Sequence, residues 1–445
     1  MSFDAGRLLS TLAILERRAP APGRYVVAFS GGLDSSVLLH VLAESRERHG
    51  KRLLAVHVDH CLHADSTRWR ETCAETARAL DVDFRAEIVE VGARARGGLE
   101  AAARDARYAA LARHVGDGDW LLSAHHQDDQ AETLLINLLR GSGPVGLAGI
   151  GRIRRFAAGW LVRPLLDTPR AALEAYAESA KLRWLDDPAN ADQRFDRNYL
   201  RHEIVPRLNA RWPGVVARLA RSAALSGDAA SLLDQLAAID LETVGEGPGR
   251  LSLEALSGLS RSRQRNVLRL VIRQTGLPMP SAAQLTVILD ELAAAREDAQ
   301  PAVRWPGGVA RRYRDGLYLS PAEEAEDVPA APLDFSAEHV ELGHGLGSLV
   351  RIPGAPLGLS DDVLGRRLEV RFRRGGESIR PRGRKHTRRL KSLLQEAGIV
   401  PWMRQRLPLV YADDELVAVA DLWLAASASS APGTALEWRD HPPLY

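Results

Sequence analysis

Along the first ~200 residues, short apolar runs alternate with longer stretches in which apolar side chains recur at helical spacing. Residues 24–30 (RYVVAFS), 52–60 (RLLAVHVDH), 83–91 (DFRAEIVEV) and 119–126 (DWLLSAHH) read as strands. Residues 34–48, 67–80, 99–114, 128–140 and 170–181 read as helices. This alternation predicts an α/β fold built on a doubly wound parallel sheet, with ligands bound beyond the carboxyl ends of its strands. The glycines of residues 141–151 predict a loop too flexible for the core, and residues 186–193 a polar loop. A helix starting at residue 197 should stop at Pro206, whose ring lacks the N–H that continues a helix.

The pattern changes at residue 215. From there to about residue 295, alanine and leucine recur at helical spacing with few glycines. Residues 309–320 read as a hairpin around Asp315-Gly316, and the acidic, proline-spotted stretch 321–332 as a linker. The last ~110 residues are strand-rich with one strongly basic segment. Three domains are expected: an α/β catalytic domain over 1–214, a helical RNA-binding domain over 215–320 and a small, basic α+β RNA-binding domain over 333–445. No internal repeat stands out.

Composition adds limits. The 445 residues are 45% hydrophobic and 26% charged, values of a soluble globular chain. No apolar run reaches the ~18 residues of a membrane span, and the N-terminus lacks the pattern of a secretory signal. Two cysteines, Cys61 and Cys73, cannot make a disulfide framework, so a cytoplasmic location is expected. A formal charge of +2 means that any grip on nucleic acid must come from local patches.

The chemistry begins with FSGGLDSSVLLH, residues 29–40, between the first strand and the first helix. No Walker lysine stands there. Ser30, Gly31, Gly32, Leu33, Asp34 and Ser35 instead offer glycine backbone, hydroxyl donors and a helix N-terminus, a set suited to a pyrophosphate group. The same residues could simply make a turn and cap the helix; the buried strand before and the apolar helix after favour the phosphate site. At the end of the second strand, His57 and Asp59 share one face, where adenine and ribose would lie, while His60, Cys61 and His63 do not complete a metal set. At the end of the fourth strand, AHHQDDQAETLLINLLRGSG places Asp128 and Glu132 on one helical face with Asp129 beside them. Those carboxylates could hold Mg2+ or a substrate ammonium group, or merely complement the helix dipole.

The S-G-G-x-D-S loop resembles the PP-loop of ATP pyrophosphatases, which cleave ATP between the α and β phosphates. HHxDDQxET followed by RGSGxxGL is similar to the tRNA(Ile)-lysidine synthase family. So are AARDARY (102–108), RPLL (163–166), DDPAN (186–190), RNYLRHEIVP (197–206), RRGGESIRPRG (373–383) and LKSLLQEAGIVPWMRQRLPLVY (390–411), in the same order. The resemblance covers most of the chain and is weakest over 215–333. VDHCLH departs from the VDHGLR expected of the family, and no role is carried to His63.

The resemblance implies an AMP-forming carbon–nitrogen ligase with ATP as co-substrate and Mg2+ as cofactor. Its substrates would be free L-lysine and the isoleucine tRNA with a CAU anticodon. The wobble cytidine is adenylated on its 2-carbonyl oxygen, the ε-amine of lysine displaces AMP, and the product pairs with A instead of G, moving codon reading from AUG to AUA. Asp128, Asp129 and Glu132 would meet the lysine ammonium, Arg107 or Arg104 the charge on the α-phosphate, and Asp34 or Asp128 the metal. RNA contacts are expected from Arg197, Asn198 and Arg201, and from the segment 371–391, where ten of 21 residues are lysine or arginine and Glu377 is the one acid. Within it, Arg380, Arg382, Arg384, Lys385, Arg388, Arg389 and Lys391 are the candidates. Trp402, in an apolar setting, reads as core. No membrane partner is expected, and a homodimer is one assembly that this reading allows.

Three rivals stand beside this reading. A tRNA thiolase needs a reactive cysteine, for which only Cys61 could serve. A nonenzymatic adenine-nucleotide sensor would leave the carboxylates and the basic segment without a use. A glutamine-dependent synthetase fails for want of an N-terminal cysteine, since residue 2 is Ser2.

Overall fold

A computed structural model of the chain describes residues 3–61, 65–89, 99–292, 301–322, 328–442 and 444. Residues 90–91 of the expected third strand, 293–295 of the helical stretch, 323–327 of the linker, and His63 lie outside the described residues. The chain divides into two compact units, Met1–Leu233 and Asp234–Tyr445.

The first unit is built on strands β1 (Arg24–Ala28), β2 (Arg52–Asp59), β3 (Asp83–Ile88), β4 (Trp120–Leu122), β5 (Ile153–Phe156) and β6 (Gly159–Val162). Their order is β3-β2-β1-β4-β6-β5, parallel throughout except for β5, which runs antiparallel on the edge. Val26, Val27, Leu121 and Leu122 are fully buried, because helices cover both faces of the sheet. That double burial is why β1, β2 and β4 read as continuous apolar runs, whereas β3 lies exposed at the sheet edge. The helix Leu33–Glu44 buries Val37, Leu38, Leu39, Val41 and Leu42, most of its circumference. From β1 the chain proceeds first to β2 and β3 on one side and then to β4 on the other. The crevice above β1 and β4 is therefore the switch point where such folds bind ligands.

Three details differ from expectation. Residues 153–162 form the β5–β6 hairpin, a pair of strands not expected there; Gly159 permits it, since a Cβ would lie 2.2 Å from the carbonyl oxygen of Asp119. The glycine-rich stretch 141–151 is pinned: Gln130 accepts from the Ile150 N–H at 2.6 Å and donates to the Ala148 carbonyl, while Asn137 donates to Gly146. The helix expected to end at Pro206 continues to Arg211, because a π-helical turn at Leu200–Ile204 shifts the hydrogen-bond register just before the proline, which then opens a new segment.

In the second unit, strands Gly245–Gly247 and Arg250–Ser252 interrupt the expected helical stretch and pair onto the hairpin Gly308–Tyr313/Gly316–Ser320. Without them the hairpin would expose an unpaired edge. The C-terminal residues form two five-stranded sheets. Trp402 fastens the hairpin to the C-terminal part: it packs edge-on against Tyr318 at 5.2 Å, and the Arg311 guanidinium lies 5.1 Å from its ring centre. Beside it, Arg404 donates to the Tyr313 hydroxyl and Arg314 to the Gln395 carbonyl, both at 2.8 Å. Among the described residues, no helix is long and apolar enough to cross a membrane.

Trp402→Ala should destabilise this unit by about 2–4 kcal/mol through lost packing. Urea unfolding checks it, and the hairpin and C-terminal part should then melt in separate transitions.

Candidate active site

The phosphate loop owes its shape to what lies beneath it. Gly31 has φ +82°, and a Cβ there would stand 2.6 Å from Cys73 Sγ and 2.7 Å from Leu185 Cδ1. Its carbonyl accepts from the Leu185 N–H at 2.9 Å and from Ser36 Oγ at 3.2 Å. Ser30 and Ser35 bring their hydroxyls within 3.1 Å of each other. The following helix begins at Gly32 without a side-chain cap, and its first intrahelical bond runs from the Ser36 N–H to the Gly32 carbonyl. The N–H groups of Leu33, Asp34 and Ser35 are thus left for an anion. Leu33 itself anchors the turn in the core.

His57 and Asp59 stand at the end of β2, where they shape the site. His57 is buried, which keeps its imidazole below its ordinary pKa and neutral, and its Nδ1 lies 3.0 Å from the Phe29 carbonyl. Asp59 accepts from the Cys61 N–H at 2.8 Å and from Arg70 at 3.2 Å. His57 joins β2 to the start of the phosphate loop, and Asp59 closes the turn after β2.

At the end of β4 lies a charged cluster centred on His126, which is 2% exposed. Its Nε2 is 3.5 Å from Asp34 Oδ2 and 3.5 Å from Asp129 Oδ2, and its Nδ1 is 3.7 Å from Asp128 Oδ2. These are ion-pair separations, longer than hydrogen bonds. Burial acts to discharge the ring, but Asp128, Asp34 and Asp129 together outweigh it and push the pKa up to about 10. Asp128 and Asp129 move the other way: burial raises them, and His126, with backbone N–H donors from Arg170 to Asp128 and from His126 to Asp129, holds both below the usual carboxylate range. The neighbouring His125 is kept neutral by desolvation and by the positive charge of Arg163, against the pull of Asp129; its Nδ1 lies 2.6 Å from Ser123 Oγ.

Glu132 is also 2% exposed and is clamped by Arg201 at 2.7 and 3.0 Å and by Arg197 at 2.9 Å. Arg201 further reaches Asp129 at 3.1 Å. Arg197 and Arg201, from which RNA contacts are expected, are turned inward onto Glu132, because a buried glutamate needs cationic partners. Asn198 donates to the Asp192 carbonyl. In this contact set four carboxylates (Asp34, Asp128, Asp129, Glu132) face three cations (His126, Arg197, Arg201), leaving one negative charge. Asp34 Oδ1 is buried with no hydrogen-bond partner. That acceptor fits Mg2+, which commonly takes one or two carboxylates and completes its shell with phosphate oxygens and water. Among the described residues, no group of three or more acidic, histidine or cysteine side chains is arranged to hold a metal unaided.

Arg107 lies within electrostatic reach of His60 and His125, at the ends of β2 and β4, and its guanidinium is 5.7 Å from the Tyr108 ring centre. Arg104 and Arg154 flank the same ring at 5.8 and 5.7 Å. Arg163, 4% exposed just beyond β6, is a site residue that sequence reasoning left without a role. It donates to the Gly151 carbonyl at 2.5 Å and leaves a buried Nε without a partner. Its only signal was a place in the RPLL string. The cysteines complete the picture: Cys73 is buried beneath Gly31, and burial pushes its thiol up to about 12, while Cys61 is exposed.

The basic segment belongs to the second unit. Arg380, Arg382, Arg384, Lys385, Arg389 and Lys391 are exposed, and Arg388 is ion-paired with Glu396.

Comparison with known proteins follows this geometry. A family model described as PP-loop domain matches residues 10–208, one described as TilS substrate binding domain matches 251–318, and one described as TilS substrate C-terminal domain matches 368–438. The chain is 42% identical to a tRNA(Ile)-lysidine synthase of Alkalilimnicola ehrlichii, over 97% of its own length and 96% of that protein. It is 38% identical to the one of Pectobacterium atrosepticum over 95% and 94%, and 40% identical to the one of Coxiella burnetii over 94% and 92%.

Gly31→Ala should weaken ATP binding, since the new methyl meets Cys73 and Leu185 at a positive φ. Isothermal titration with ATP should show at least a tenfold weaker Kd, whereas Gly50→Ala, in open space at φ +64°, should bind as the parent does.

Proposed function

The chain belongs to the tRNA(Ile)-lysidine synthase family, and from that premise we propose that it ligates free L-lysine to C2 of the wobble cytidine in the CAU-anticodon isoleucine tRNA. It is an ATP-using, AMP-forming ligase that modifies tRNA. The observation that carries the reading is the meeting, at one switch point, of an uncapped phosphate loop and the carboxylate cluster around His126.

The cytidine O2 attacks the α-phosphorus of ATP, the bond to the β-phosphate oxygen breaks, and pyrophosphate leaves. The N–H groups of residues 33–35 and the hydroxyls of Ser30 and Ser35 hold the departing phosphates. Asp34, with its unpartnered Oδ1, would hold Mg2+. When bound, that ion offsets the negative charge of the phosphates. Arg107 and Arg163 supply fixed positive charge at the ends of β4 and β6.

In the second half the lysine Nε attacks C2, the C2–O bond breaks, AMP leaves, and two protons are lost from nitrogen. Free lysine has a pKa of about 10.4 and arrives as an ammonium ion. Asp128 and Asp129, ionised because His126 holds them so, bind that ammonium and take up the protons as the C–N bond forms. Glu132 is committed to Arg197 and Arg201; we assign all three to positioning the helix that carries Asp128 and Asp129. The target base leaves the single-stranded anticodon loop at low cost. The middle segment 215–320 and the C-terminal segment 333–445 grip the rest of the RNA, with the basic run 380–391 on the phosphate backbone. A cytoplasmic location follows from this substrate.

The thiolase reading is not favoured: the relatives that match over nearly the whole chain are tRNA(Ile)-lysidine synthases. With Mg2+, ATP, labelled lysine and the CAU isoleucine tRNA, the protein should place label in RNA and release one AMP per label. Asp34→Ala should lower the rate by about 10²–10³-fold. Label that enters a tRNA lacking the wobble cytidine, or AMP formed without label, would overturn the assigned acceptor or nucleophile.

A further inference from the structure

A cavity of about 300 Å³ opens in the C-terminal part, lined by Leu357, Pro381, Arg382, Asp421, Leu422 and Trp423 among others. Its volume is at the lower end of sites that enclose a small ligand, about 300–1,000 Å³. Trp423 belongs to the short strand Trp423–Leu424, which ends its five-stranded sheet. That edge is fastened to the start of the basic loop. The Arg382 N–H donates to the Leu424 carbonyl, and the Ala426 N–H to the Arg380 carbonyl, both at 2.9 Å, with a Pro381–Ala425 bridge between them. Cavity wall and basic loop are thus positioned by one stretch of backbone. From the cavity mouth the chain runs through seven lysines and arginines between residues 380 and 391 without one acid.

We propose that this cavity is an RNA subsite that takes an unpaired nucleobase of the substrate tRNA, stacked on Trp423, while Arg382 and the adjoining loop hold the flanking phosphates. The proposal rests on the function argued above and adds a contact remote in sequence from the reacting residues. Its chemistry matches a nucleotide part by part. Leu357, Leu422 and Trp423 offer apolar and aromatic surface to a π face. Asp421, the one carboxylate in the lining, accepts from an exocyclic amine. Arg382 supplies charge where the phosphate tether must leave. Adenine, cytosine and guanine carry such an amine and uracil does not, so the subsite should disfavour uridine. The charge run selects a polyanion, and the aromatic wall selects RNA over an acidic peptide.

The test is equilibrium binding of fluorescent tRNA, hexa-adenylate, hexa-uridylate and a hexaglutamate peptide to the full chain across a salt series, with thermal melts to confirm folding. Trp423→Ala should weaken tRNA and hexa-adenylate about tenfold without changing the salt slope. Trp423→Phe should restore most of that loss. Arg382→Ala should reduce the slope by about one. Hexa-uridylate should bind the parent more weakly than hexa-adenylate, and Asp421→Asn should narrow that gap. Unchanged RNA affinity in Trp423→Ala, a loss that phenylalanine does not restore, or a loss seen with hexaglutamate alone would each overturn the subsite. If the parent chain modifies its tRNA normally, such a result removes the subsite and leaves the ligase reading intact; failure of the parent to bind or modify tRNA removes both.

Discussion

A protonated imidazole buried among three carboxylates holds the site together. Asp34 arrives from the helix after β1, and Asp128 and Asp129 from the helix after β4; His126 is the cation between them. Without it, one buried and two half-buried carboxylates would repel one another at the two helix N-termini that must converge on one nucleotide. With it, the helices meet across the switch point, and Asp128 and Asp129 stay ionised at neutral pH. Breaking a buried charge set of this kind typically costs several kcal/mol, because the remaining charges are left unpaired.

A second tier supports the first. Glu132 lies one helical turn beyond Asp128 and is gripped by Arg197 and Arg201, which fixes the carboxylate helix against the segment that follows the sheet. Cys73 and Leu185 do the same from below, filling the space that a side chain at Gly31 would occupy. The phosphate loop is therefore a stiff cradle. Its freedom from a side-chain cap is what leaves its amides for a ligand, and the same packing that shapes it removes Cys73 from sulfur chemistry.

Much of this was legible in the chain. Strands β1, β2 and β4 announced themselves because burial on both faces leaves an apolar run, while β3, exposed at the sheet edge, showed only as an alternation; SGGLDS and HHxDDQxET are local strings whose spacing carries their chemistry. What stayed hidden depends on distant partners. Arg197 and Arg201 read as RNA contacts, and only the fold brings Glu132 beside them. Arg163 follows the hairpin that Gly159 permits, and nothing local marks a guanidinium as buried. The helix past Pro206 depended on a π turn, which spacing rules for α-helices do not foresee. His126 was visible as a residue but its charge was not, since one neighbour, Asp34, is 92 positions away.

The most direct measurement of this account is a pH titration of the His126 ring nitrogens by NMR in the full chain, with His126→Gln to assign the signal. An unfolded histidine titrates near pH 6.5. Because the folded value lies above that, the stabilisation is fully present below about pH 6.5 and is lost as pH rises toward about 10. The account predicts a ring protonated on both nitrogens through pH 8 and losing its proton near pH 10. A ring that is already neutral at pH 7 would contradict it, and with it the claim that one buried cation organises the site.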